Sequence, residues 1–84
     1  MKEHILKYIE LNPKFCYFTL CEMFGLSMED LLKLMGINHY KLKDSYIQIY
    51  DNNGKKIYEE FSSGFWVKYE WDDGNIIKQS SSYD

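Results

Sequence analysis

The stretch Thr19–Gly36, TLCEMFGLSMEDLLKLMG, decides the reading of this chain, because it carries two helix starts and two helix stops in quick succession. Thr19 with Glu22, and Ser27 with Asp30, have the capping-box form, in which a hydroxyl and a carboxylate three residues apart satisfy the first free backbone donors of a helix. Gly25 and Gly36 follow as stops, since glycine takes the left-handed conformation that ends a helix at little cost. Leu20, Phe24, Leu26, Leu31 and Leu34 fall on core-facing positions, with the small Cys21 at the crossing. The stretch therefore reads as helix-turn-helix.

Upstream, Ile5, Leu6, Tyr8 and Ile9 line one side of a helix over Lys2–Leu11, with Lys2, Glu3, Lys7 and Glu10 on the other. Pro13 either ends this helix or, with Asn12, starts the next, and KFCYF is either a connecting turn or the first turn of helix two. The third helix runs over about Met28–Met35 and INHYKLKD then reads as a linker. Beyond Asp44 the apolar period changes from helical to alternating. YIQIY, KKIYEEF, WVKYEW and NIIKQS are rich in β-branched and aromatic residues, and DNNG, SSG and DDG between them are turn signals. The expected architecture is α+β: three helices followed by a four-stranded antiparallel meander, winged-helix-like, in a single domain over residues 1–84. Its parts are a helical segment 1–44, a sheet 45–80 and a tail 81–84.

Composition bounds the function. The 84 residues include eight Tyr, five Phe and two Trp, enough ring surface to build a small core. Cys16 and Cys21 are poorly spaced for a disulfide or a metal pair and read as reduced thiols. No apolar run approaches a membrane span and the N-terminus does not resemble a signal peptide, so a cytoplasmic location in the host cell is expected. All ten basic residues are Lys. Six Lys balance six acids up to Asp44, whereas four Lys face seven acids beyond it, which places the net charge of −3 on the second half. A duplex-wrapping domain shows the opposite balance.

The two hairpins resemble each other: YDNNGKKIYEE at Tyr50–Glu60 lines up with WDDGNIIKQS at Trp71–Ser80. Together with GFWVKYEWDDGNIIK, residues 46–79 resemble the tyrosine-aspartate type of hairpin repeat found in bacterial surface toxins and in small phage and mobile-element proteins. Trp71 replaces the usual Tyr, and the second turn is one residue shorter. The resemblance implies stacked hairpins and no particular activity.

Three functional readings follow. No glycine-rich phosphate loop, metal-ligand cluster or His-activated thiol is present, and His4 and His39 lie in separate segments, so neither catalysis nor a metal or other cofactor is expected. The leading expectation is a non-enzymatic, stoichiometric binder of a basic host protein that handles nucleic acid, of anti-CRISPR type, working as a monomer or homodimer. Its expected contact residues are Tyr50, Tyr58, Glu59, Glu60, Trp66, Glu70, Asp72 and Asp73, an acidic and aromatic strand surface. Tyr69, Trp71 and Phe61 are read as core. The alternative is a winged-helix DNA-binding regulator using Ser27, Met28, Lys33, Asn38, His39, Lys41, Lys55 and Lys56, although Glu29 and Asp30 at the start of its groove-facing helix would meet phosphates.

Overall fold

In the computed structural model, which describes residues 1–83, three helices precede a five-stranded antiparallel sheet. The helices are α1 (Lys2–Leu11), α2 (Tyr17–Phe24) and α3 (Met28–Leu34). The strands are β1 (Tyr40–Leu42), β2 (Tyr46–Tyr50), β3 (Lys56–Phe61), β4 (Trp66–Asp72) and β5 (Asn75–Ser81), in the spatial order β1-β2-β3-β4-β5. The chain divides into two units, Met1–Asn38 and His39–Asp84. No described helix is long and apolar enough to cross a membrane.

In the first unit, α1 stops one residue before Asn12, whose side-chain amide donates to Tyr8 O at 2.9 Å, and Pro13 lies in the turn beyond. The second helix starts earlier than the Thr19–Glu22 pattern predicts. Cys16 is its N-cap, Leu20 N–H donates to Cys16 O at 3.1 Å, and Thr19 is inside the helix with its hydroxyl 2.7 Å from Cys16 Sγ. The extra turn is held from within, because Tyr17 is buried and its ring meets Phe15 edge-on at 5.2 Å. Gly25 (φ +66°) closes α2, and Leu26 N–H returns to Cys21 O at 3.1 Å.

Ser27 caps α3 as expected, its Oγ accepting from Asp30 N–H at 3.2 Å. Ser27→Ala is expected to cost about 1 kcal/mol in a denaturant titration, and a change below about 0.3 kcal/mol would show that the cap contributes nothing. Ile5, Leu20, Leu31 and Leu32 are fully buried; Phe24, Leu26 and Leu34 are half-buried. The ring of Tyr8 on α1 meets that of Phe24 on α2 edge-on at 6.4 Å, and Cys21 Sγ reaches Met28 Sδ at 4.0 Å where α2 and α3 cross.

In the second unit the expected four strands become five. β1 occupies part of the segment read as a linker, with Tyr40 facing Ile49 and Leu42 facing Ile47 across the ladder. Three residues carry no alternation of their own, and only the partner strand defines β1. The two long hairpins turn differently. Asp51 Oδ1 accepts from Asn53 N–H and Lys55 N–H, each at 2.9 Å, and so ties down the first loop. In the second, Asp73 (φ +52°) and Gly74 (φ +82°) form a two-residue loop with both φ positive, the twist that suits a tight hairpin.

Pairing register sorts the strand side chains onto two faces. Ile47, Ile49, Tyr58, Glu60 and Trp66 share one, and all five are buried. On that face Tyr58 OH donates to Glu60 Oε1 at 2.5 Å, and Lys68 Nζ stands 4.9 Å from the Trp66 ring centroid. Gln48, Tyr50, Glu59, Tyr69 and Trp71 lie on the other.

A candidate binding surface on the open face of the sheet

Two β-bulges shape the open face. The register of β2 on β3 shifts between Ile49 and Tyr50, and that of β4 on β5 shifts between Glu70 and Trp71. Tyr50 and Trp71 are the aligned aromatic positions of the two similar hairpins, so each hairpin bends at the same point. In each case the extra residue lies on the partner strand, Ile57 on β3 and Ile77 on β5, so Tyr50 and Trp71 keep the alternation of β2 and β4 and share a face with Gln48 and Tyr69. Both rings line one open concavity of about 590 Å³, together with Gln48, Gly54, Lys55, Lys56, Tyr69 and Ile76.

The walls of this concavity are held by hydrogen bonds and ring contacts. Gln48 Nε2 donates to Glu59 Oε2 at 2.5 Å, and Tyr50 OH donates to Gln48 Oε1 at 2.9 Å. Glu59 also pairs with Lys56 Nζ at 3.4 Å. The Trp71 indole N–H donates to Lys56 O at 2.8 Å, which fixes the ring against the backbone of β3. Cations stand over the rings: Lys55 over Trp71 at 5.1 Å, Lys56 over Tyr69 at 5.4 Å and Lys41 over Tyr50 at 5.9 Å. Rings and amides fixed before a ligand arrives lose little side-chain freedom on binding.

The eight expected contact residues do not form one surface. Tyr58 (7% exposed), Glu60 (0%) and Trp66 (4%) lie on the buried face. Neighbours on a strand point to opposite faces, so Glu59 and Glu60 cannot share one surface, and which face becomes covered is a tertiary matter. Tyr50 and Glu59 lie on the open face, and Glu59 is engaged by Lys56 and Gln48. Glu70 is exposed and faces Lys78 across the ladder, while Asp72 and Asp73 are exposed at the tip of the β4–β5 hairpin. Tyr69 and Trp71, read as core, are half-buried and line the concavity; Phe61 is also half-buried. Gln48 and Ile76 are further lining residues with no motif to mark them.

The residues of the DNA-binding alternative divide between the two units. Ser27 is spent on capping, Met28 is half-buried beside Cys21, and Lys33 and Asn38 are exposed. In the second unit His39 and Lys41 are exposed, and Lys41, Lys55 and Lys56 each rest on a ring of the open face. Among the described residues, no group of three His, Cys, Asp or Glu side chains is placed to hold a metal ion, and both cysteines are free thiols. Compared with family models, with curated proteins and with solved structures, the chain matches none.

Proposed function

We propose that the chain is a non-enzymatic binding module that captures a protein partner on the open face of its sheet. The observation that supports this reading is the concavity on the open face in which Tyr50 and Trp71 stand beside Tyr69 and two lysines. Half-buried Tyr and Trp rings, rigid and surrounded by polar groups, are the residue types that dominate binding energy at protein interfaces. Lys55 and Lys56 line the concavity, and Asp72 and Asp73 are exposed at the tip of the β4–β5 hairpin. Acids at that tip suit a basic partner, as a host protein that handles nucleic acid would be. With the hairpin resemblance, the concrete form is a phage or mobile-element inhibitor of anti-CRISPR type acting by stoichiometric binding.

Affinity capture from host lysate, with and without nuclease, tests the reading. Wild-type protein is expected to retain a partner that resists nuclease, and Trp71→Ala to weaken retention by about 30-fold, the effect of a hot spot worth about 2 kcal/mol. Thermal melts run alongside separate lost binding from lost folding. Equal retention by wild type, Trp71→Ala and an Asp72→Lys/Asp73→Lys variant would overturn the proposal. Retention that vanishes with nuclease and falls steeply with salt would favour the DNA-binding alternative instead.

A further inference from the structure

We propose that the concavity on the open face takes an acidic segment of the partner protein, an extended stretch that sets one carboxylate beside an aromatic or aliphatic side chain. This inference rests on the protein-capture reading above and names what the concavity takes from the partner. Three ammonium groups are gathered on its rings: Lys55 over Trp71, Lys56 over Tyr69 and Lys41 over Tyr50. Lys56 is paired with Glu59, whereas among the described residues neither Lys41 nor Lys55 forms an ion pair. The carboxylate that follows Tyr50 in the chain, Asp51, accepts from the backbone N–H groups of Asn53 and Lys55. Two positive charges are thus left without a carboxylate partner beside the rings of Tyr50 and Trp71.

The sign of the occupant follows from this arrangement. A ring face attracts a cation, but these faces already carry the chain's own lysines, and a partner's Lys or Arg would meet ammonium groups at short range. A carboxylate leaves each lysine on its ring and adds an ion pair to it. An ammonium already held on a ring also loses little freedom when it pairs. The Trp71 N–H and the Tyr50 hydroxyl are donated to Lys56 O and Gln48, so selection of an acid falls to the lysines. Tyr69, Trp71 and Ile76 offer apolar contact to the neighbouring side chain. A nucleic-acid strand suits the site less well, because it carries a phosphate at every nucleotide and would also meet Asp51, Asp72 and Asp73 in the two hairpins that wall the concavity. A peptide needs one carboxylate only. The exposed Asp72 and Asp73 address basic surface on the same partner, and the concavity addresses the acid within it.

Titration of isotope-labelled protein with a capped Gly-Phe-Asp-Phe-Gly peptide, followed by NMR, provides the test. The Trp71 indole N–H and the Lys55 and Lys56 amides are expected to shift saturably, with a dissociation constant of about 1 mM. Replacing the peptide's Asp by Asn is expected to weaken binding about fivefold, and replacing it by Lys about tenfold or more. Lys55→Glu is expected to weaken the Asp peptide about tenfold and to reduce capture from lysate. The peptide series is measured on the wild type and decides the matter whatever the variant does to folding. Equal affinity for the three peptides would overturn the inference, as would shifts confined to residues outside the concavity. No saturable shift up to about 10 mM, or tighter binding of oligothymidine than of the Asp peptide, would overturn it too. Lysate capture lost in Trp71→Ala but kept in Lys55→Glu would leave protein capture standing and remove the acidic segment alone.

Discussion

Trp66→Ala is expected to destabilise the protein by about 3–5 kcal/mol, the usual cost of deleting a large aromatic side chain from a packed interior. Trp66 is 4% exposed, its ring lies 6.1 Å from that of Tyr58, and Lys68 covers it at 4.9 Å, so truncation leaves a cavity that none of these neighbours fills without moving. The same substitution at half-buried Trp71 removes one hydrogen bond to Lys56 O and less buried surface, and its expected cost is about 1–2 kcal/mol. Denaturant titration of the pair is decisive. Equal losses at the two tryptophans would mean that the faces are assigned the wrong way round.

A second large effect is expected at Glu60, which is fully buried and accepts the Tyr58 hydroxyl. Glu60→Ala removes both the acceptor that Tyr58 uses and the volume around it, at an expected cost of about 2–4 kcal/mol. Glu60→Gln keeps a carbonyl oxygen at the same reach and is expected to recover at least half of that loss. Because the two side chains act together, a double-mutant cycle with Tyr58→Phe is expected to show a coupling of about 1 kcal/mol. A cycle that closes with no coupling, or an alanine variant as stable as wild type, would show that the buried carboxyl is a bystander.

These two sites also show why the contact surface was only partly legible. Alternation along YIQIY, KIYEEF and WVKYEW separates two sets of side chains in each strand, and the ladder keeps those sets apart. It does not say which set is covered. Glu60 looks like a surface residue by type, yet it shares its face with Ile47 and Trp66 and is buried with them. The concavity was less legible still, because it gathers side chains from β2, β3, β4 and β5. Tyr50 and Trp71 are aligned in sequence, but only the pairing of β2 with β3 and of β4 with β5 shows that a bulged residue, Ile57 or Ile77, sits beside the partner of each.

By itself, the sequence determined the features whose causes are local. The Ser27 cap, the Gly25 stop, the end of α1 ahead of Pro13 and the tight Asp73–Gly74 turn each depend on a backbone conformation or a hydrogen bond spanning a few residues. Tertiary structure decided the rest. It extended α2 back to Tyr17, whose burial holds a turn that no capping pattern announces. It made a strand of Tyr40–Leu42, which has no partner until β2 is in place. It buried Tyr58, Glu60 and Trp66, and it brought Gln48, Tyr50, Tyr69 and Trp71 around one concavity. Local signals follow from the chemistry of neighbouring residues, whereas register, bulge position and the choice of covered face are set by contacts between segments distant along the chain.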